Sequence, residues 1–377
     1  MPVYPGFTGG SVPARSRTVN VERTVNLYPE HTGGTPKRDP VLYNRPSCVP
    51  WTYCANGPIR CLFWQDGRFF AVSGGYFYEC FKSRNVIIRG LVRVDAHPAT
   101  ISSNGTGGNQ LFITSGGLGY IYDLTTDTLA QITDPEFPNP VTFGAYVDGY
   151  FLAMQGDSNR VQFSSILDGD EWNGLDVFQT SLSSDLKSAM LVSNRRIFLW
   201  GTKNTEVWYN AADGNTVFLP DPSAGVISHG IAAPYTAIEL DNTPYWLGQD
   251  AAGSGLVWRF NGYTPEPISN PQVDGVIQSW PSLTNCLAFG FQMVGHAWYA
   301  LYSPYAETTW MYDVTMRTWT EWALEDHVWM RFFPWIGRCQ AAGWNQQFIG
   351  ARNNGTIYRM DMTVYQDRIV TLGGLEP

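Results

Sequence analysis

The chain has 377 residues, 44% of them hydrophobic and 15% aromatic but only 15% charged, with 38 Gly and 24 Pro. Such a composition can fill a large core yet lacks the solvated faces that long helices need, so it points to an all-β fold of many short strands joined by turns. A formal net charge of −9 argues against a protein that grips nucleic acid, since that task needs Lys and Arg to displace phosphate counterions; it reads as a mildly acidic soluble protein and does not exclude a wall that DNA slides past.

Residues 1–50 read as an extended or irregular arm. Eleven Pro or Gly precede Pro46, and the one alternating run is Val19-Asn-Val-Glu-Arg-Thr-Val-Asn-Leu27, where Val19, Val21, Val25 and Leu27 keep one phase and Arg23 breaks it. The arm is expected to contribute a strand and to cross to a neighbouring subunit. Met1-Pro-Val-Tyr-Pro-Gly-Phe7 lacks the basic and apolar regions of a signal peptide, and no run approaches the ~18 apolar residues of a membrane helix. The expectation is a chain neither exported by that route nor membrane-spanning. Of six Cys, four (Cys48, Cys54, Cys61, Cys80) cluster without a Cys-x-x-Cys, and His31 and His97 lie outside the cluster. Free, mostly buried thiols are expected rather than a zinc site, and a disulfide within the cluster is left open.

From Arg60 a repeat sets in. Apolar strand centres fall at Phe69, Phe112, Phe151, Phe198, Trp246, Tyr299 and Phe348, at intervals of 43, 39, 47, 48, 53 and 49 residues. Asp66-Gly67, Asp148-Gly149 and Asp241-Asn242 precede three of them, as tight hairpins require. Tyr122-Asp-Leu-Thr-Thr-Asp-Thr-Leu129, Tyr312-Asp-Val-Thr-Met-Arg-Thr-Trp319 and the looser Val257–Tyr263 read as strand, polar turn, strand. Units of this length with about four short strands each are propeller blades. We therefore expect a single β-propeller of six or seven degenerate blades over residues 51–365, an arm over 1–50 and a tail over 366–377. A pair of β-sandwiches is the rival fold. One short helix is expected around Ser183–Met190.

Asp168, Asp170, Glu171 and Asp176 place four carboxylates in nine residues. A calcium loop counted from Asp168 would need Glu where Gln179 stands, so the stretch reads as a hydrated turn capped by Trp172. Leu167-Asp-Gly-Asp-Glu-Trp172 also resembles an aspartate-box turn of sialidase-type propellers, but only once, and Arg195-Arg196 is a lone adjacent pair whose side chains diverge in a strand. His229 and His296 show no acid partner nearby in sequence. No phosphate loop, His-Glu-x-x-His or Gly-x-Ser-x-Gly occurs, and Asn104-Gly-Thr106 and Asn354-Gly-Thr356 read as turns. Trp310, Trp319, Trp322, Trp329, Trp335 and Trp344 crowd the last quarter and are assigned to core and subunit interface. No catalytic, cofactor-binding or metal-binding residue is assigned.

Eight motifs in order carry a resemblance. They are Val25-Asn-Leu-Tyr-Pro-Glu30, Ser164…Trp172…Leu175-Asp176, Thr205-Glu-Val-Trp-Tyr209, Gly230-Ile-Ala-Ala-Pro-Tyr235, Trp246-Leu-Gly248, Asn261-Gly-Tyr-Thr-Pro265, Gln292 with Gly295-His296, and Thr309-Trp-Met-Tyr-Asp313. Together they resemble the packaged-DNA stabilisation proteins of short-tailed bacteriophages, from about residue 20 to 358. The sequence departs after Ala212, where Asp213-Gly-Asn-Thr216 replaces an aromatic-rich strand, and beyond Asp361, where it is short. The resemblance implies a non-enzymatic virion protein, assembled in the host cytoplasm and placed in the tail. Its members form a ring, expected to be a hexamer, below the portal and adaptor ring. The ring holds the DNA channel closed and carries the needle, plug or fibres, while DNA passes without specific binding. No cofactor is implied. The alternative reading is a propeller-type glycan-binding or glycan-hydrolysing tail protein.

Overall fold

The computed structural model describes residues 9–13, 21–31, 41–213, 216–249, 255–326, 330–368, 370–371 and 374–375. Seven antiparallel sheets follow one another around an axis, making a seven-bladed β-propeller. The innermost strands are Ile59–Gln65, Thr100–Ser103, Val141–Val147, Lys187–Ser193, the split pair Gly230–Ile231 and Ile238–Leu240, Leu287–Met293 and Gly337–Gly343. Each abuts the next, and the seventh returns to the first. The seven apolar centres read from the sequence all lie in the second strand of a blade. These strands run nearly buried on both faces, as in Arg68–Ser73 and His296–Tyr302, so they appear as continuous apolar runs.

The turn from first to second strand is where the Asp-Gly signals act. Asp66-Gly67, Asp148-Gly149, Asn194-Arg195, Asp241-Asn242, Val294-Gly295 and Trp344-Asn345 all take positive φ at both residues, the backbone of a two-residue hairpin that matches strand twist. Side chains of neighbouring turns then bond. Arg195 Nε reaches Asp148 Oδ1 at 2.7 Å, and Asn194 Nδ2 donates to the Asn242 carbonyl at 2.8 Å.

Apolar residues fill the wedges between blades. Phe70, Phe77, Leu111 and Tyr122 join blades one and two; Phe291, Trp298, Trp322 and Trp335 join six and seven. Of the late tryptophans, Trp310, Trp319, Trp322 and Trp335 are buried, Trp344 is half-buried against Trp51, Trp64 and Phe69, and Trp329 lies outside the described residues. All six cysteines are free thiols; Cys48, Cys54, Cys80 and Cys286 are buried, and the Cys54 and Cys80 sulfurs lie 3.7 Å apart.

The ring is closed by an early strand. Ser47–Tyr53 pairs antiparallel with Thr356–Asp361 as the outermost strand of blade seven, so it straddles the boundary drawn at residue 50. Ahead of it, Val25 bridges Glu321 on the outer strand of blade six, Thr318–Asp326. The carboxylate of the buried Glu321 receives Arg23, with Nε to Oε1 at 3.1 Å, and Thr308 Oγ1 at 2.9 Å. Arg23 interrupts the alternating run because it serves that buried acid. The run is not one strand: Asn26, at φ 59°, separates Val21–Glu22 from Leu27–Glu30, and its side-chain oxygen accepts the Ala323 N–H at 2.9 Å. Val19 lies outside the described residues. Ser11, Val25 and Asn26 of the arm thus lie along the sixth blade, and the arm from Ser47 onward along the seventh.

Two local expectations are corrected. Ser183–Met190 is not helical: Lys187–Ser193 is the inner strand of blade four. The eight-residue helix is Pro271–Gln278, between blades five and six; Asn270 caps it by accepting the Gln272 and Val273 N–H groups, and Val273 and Ile277 are buried. Asn followed by Pro is a start signal, but Gly275 and β-branched Val273, Val276 and Ile277 conceal the rest. After Ala212 a strand does follow, Thr216–Pro220, with Phe218 buried against Phe163 and Phe178; Gly214 and Asn215 lie outside the described residues.

At the junction of blades seven and one the backbones touch: the Cys54 N–H donates to the Gly355 carbonyl at 2.7 Å, and a Cβ on Gly355 would stand 1.5 Å from the Cys54 carbonyl oxygen. Gly355→Ala is therefore expected to displace the closing strand and to cost roughly 3 kcal/mol or more, read as a lowered denaturation midpoint in urea.

Candidate functional site

The acidic turn of blade three is a clasp onto blade two. Asp168 Oδ1 accepts the Asp170 N–H at 2.9 Å, Asp170 Oδ2 accepts Gln110 Nε2 at 3.0 Å, and the Gly169 N–H donates to Gln110 Oε1 at 2.8 Å. Trp172 Nε1 donates to the Gly169 carbonyl at 2.7 Å, and its ring packs on Phe137 and Phe112 at 4.8 and 5.7 Å. Burial, then the charges of Asp168 and Asp123, raise the Asp170 pKa. Glu171 faces solvent, Asp170 keeps solvent contact although its carboxylate is partly covered where it meets Gln110, and Asp176 lies further along, on the outer strand Trp172–Gln179. Among the described residues no group of three or more His, Cys, Asp or Glu is placed to hold a metal ion. Arg195 and Arg196 diverge, to Asp148 and to Asp221 at 2.8 Å.

The motifs that are scattered in sequence meet in space. Glu206, from Thr205–Tyr209, is fully buried, 3.2 Å from the ammonium of Lys187, which also donates to Asn204 Oδ1 at 2.7 Å; Trp208 Nε1 donates to Glu206 Oε2 at 3.3 Å. Thr205 Oγ1 donates to the His229 carbonyl at 2.6 Å, and Trp246 Nε1 donates to the Gly230 carbonyl at 3.1 Å. A Cβ on Gly230 would fall 2.2 Å from the Thr202 carbonyl carbon, so this motif needs glycine to let blades four and five approach. Tyr263, from Asn261–Pro265, donates to Asp221 Oδ2 at 2.7 Å, where Arg196 also ends.

A second cluster joins three further motifs. His296 Nδ1 lies 2.6 Å from Asp313 Oδ2, both buried, and Tyr28 of the arm packs its ring edge on His296 at 5.0 Å, with Trp298 stacked at 5.2 Å. Asp313 Oδ1 also accepts the Thr315 and Met316 N–H groups, at 2.9 and 3.2 Å. The acid partner that local sequence does not offer His296 thus comes from the adjacent strand, and the pair fastens the arm to blade six. The Val294-Gly295 turn beside it separates open clefts of about 380 and 520 Å³, which share Gln292 and Met293.

At the opposite end of the inner strands, extra residues in four of them re-aim side chains: Arg60, Thr142, Ser188 and Arg338 each sit at a register shift. In blade five the inner strand is broken outright by a short 3₁₀ turn, Pro234–Thr236. Its Tyr235 stacks on His97 at 5.4 Å and on Phe143 at 5.0 Å, contacts that blade five can make with the blade one–two link and with blade three only across the axis. Burial pushes the Tyr235 phenol up to about 12, so it is un-ionised. Beneath it the buried Arg60 binds Asp95, the His97 carbonyl at 2.7 Å and Ser115 Oγ at 2.8 Å. One mouth of the axis is therefore filled by an aromatic stack on a satisfied guanidinium. No sequence motif beyond Pro234-Tyr235 hinted at this, because its members come from four separate blades or links.

Two outcomes are expected. Lys187→Met should destabilise by roughly 3–5 kcal/mol by stranding Glu206, and Lys187→Met with Glu206→Leu should recover most of that loss, both read by chemical denaturation. His229, whose Nδ1 is buried without a partner against Trp258, has its pKa lowered by burial from 6.5. The unfolded chain then takes the proton first as pH falls, so stability conferred by neutral His229 is lost below about pH 6.5; His229→Gln should flatten that fall in midpoint.

Residues 44–365 match a phage-stabilisation family model described as bacteriophage P22 Gp10, beta-propeller. No curated protein matches the chain by sequence. Among solved structures, the extracellular domain of a one-component system from B. thetaiotaomicron aligns with a TM-score of 0.54 at 10% identity, covering 87% of this chain and 41% of that one. This chain thus spans less than half of that neighbour's length. Virginiamycin B lyase from Staphylococcus aureus aligns at 0.52 and 10% identity, over 83% and 98% of the two chains, and a chain of the Mitotic Checkpoint Complex at 0.53 and 12%, over 88% and 96%. Likeness at such identity establishes the propeller fold alone. With most of its length matched by one family model and its seven blades in place, the chain belongs to the phage stabilisation family, that of the bacteriophage P22 Gp10 β-propeller.

Proposed function

We propose that the protein is a non-catalytic component of a short-tailed phage virion. In this reading copies of the chain form a ring below the portal and adaptor that closes the DNA channel, stabilises packaged DNA and anchors the needle, plug or fibres. The observation that carries it is the family match over 44–365. Three features are in keeping with it. The charged side chains of the motifs are consumed in bonds between blades and to the arm, which suits a rigid building block. The acidic cluster of blade three holds its own backbone and Gln110. The net charge of −9 lets DNA pass a ring of such subunits without adhering.

The deciding measurement is DNA retention in particles assembled without this protein. Heads that fill and then leak their genome are the expected outcome. Heads that keep DNA but fail to adsorb would overturn the stabiliser role and favour glycan binding or hydrolysis at the host surface, with Asp168, Asp170 and Glu171 as the first residues to replace.

A further inference from the structure

Arg23, Arg45, Arg60 and Arg196 each face a carboxylate. Arg338 and Arg352 do not. They stand at one end of the same strand pair in blade seven: Gly337 faces Ala351 and Cys339 faces Gly350, so Arg338 is the bulged residue and Arg352 follows Ala351 directly. The guanidinium carbon of Arg352 lies 5.1 Å from the ring centre of Tyr302, the last residue of His296–Tyr302 in blade six, and its Nη2 donates to the Pro334 carbonyl at 2.8 Å. Arg338 Nη2 donates to the Ala96 carbonyl at 2.5 Å. The Nε atoms of both are buried without an acceptor, and among the described residues neither guanidinium forms an ion pair. Asp95, which acts on Arg338 through space, is already held by Arg60.

A guanidinium cannot shed its proton, and a charge taken out of water without a counter-charge is costly. Burial opposes the charge of Arg338 and lowers its pKa. Each planar fork spends its Nη2 on a backbone carbonyl and keeps an unpartnered Nε, and such forks suit paired oxygens. We propose that Arg338 and Arg352, flanking Tyr302, form a binding site for an oxyanion with two acceptor oxygens, the chemistry shared by inorganic phosphate and a carboxylate. Each guanidinium offers its free N–H groups to one anion, which supplies a counter-charge that Arg338 otherwise feels only through space from Asp95, already held by Arg60.

The test is thermal unfolding of the full chain in sodium phosphate, sodium acetate and sodium chloride at equal ionic strength. Phosphate should raise Tm saturably by a few degrees over chloride, and the rise should vanish in Arg338→Gln with Arg352→Gln. A rise in acetate as well assigns the site to carboxylates, including one carried by a partner chain; a rise in phosphate alone assigns it to free phosphate. Equal Tm in all three salts, or an unchanged rise in the double variant, overturns the proposal. Should the Gln variants fail to fold, Arg338→Lys and Arg352→Lys keep the charge but lose the fork. Phosphate binding, followed by ³¹P line broadening, should then weaken several-fold, and unchanged binding overturns the proposal equally.

Discussion

A ring of separate sheets has one point at which it must be fastened, and here that fastening is the ladder between Ser47–Tyr53 and Thr356–Asp361. Every other blade is built from consecutive strands and could form locally. The seventh borrows its outermost strand from the other end of the chain, so the wedges between blades six and seven and between seven and one depend on a single strand pairing. The close glycine contacts beside it and the aromatic cluster of Trp51, Phe69, Trp344 and Phe348 are packed against that seam.

Electrostatics follow the same logic. Buried polar groups are answered where separate elements must hold one geometry: Lys187 pairs with Glu206 inside blade four, the exposed Arg23 reaches the buried Glu321, and Tyr28 packs on the hydrogen-bonded His296 and Asp313 where the arm meets blade six. Such pairs add little net stability over apolar replacements, but removing one partner strands the other, so they specify an arrangement more than they strengthen it. The arm buries Tyr28 among Phe291, Trp298 and Trp322, and these directed bonds fix its position.

What was legible in the sequence follows from how local each cause is. The second strands announced themselves because both faces are covered, giving unbroken apolar runs such as Phe151-Leu-Ala-Met154, and the Asp-Gly turns did so because two adjacent residues must take positive φ. Val294 and Trp344 take the same backbone with side chains that disfavour it, so their turns carried no signal. Ser183–Met190 misled because its Ser and Asp residues offered a helix cap, whereas Lys187 within it is an inner-strand residue answering Glu206. His296 found its acid on the adjacent strand, 17 residues away in sequence, where the ladder sets Asp313 opposite Trp298. The axial stack around Tyr235 was hidden for the same reason: it is a property of closure, and no single blade contains it.

The closing strand also sets an order of events during synthesis. Ser47–Tyr53 leaves the ribosome ahead of all seven inner strands and must wait, its edge unpaired, until Thr356–Asp361 has been made. Pairing at that sequence separation is slow, and an unpaired edge is exposed to wrong partners meanwhile. A chain cut short anywhere before its last blade therefore never acquires a closed body, and the geometry of the seam serves as a check that only a chain carrying all seven blades reaches the closed fold.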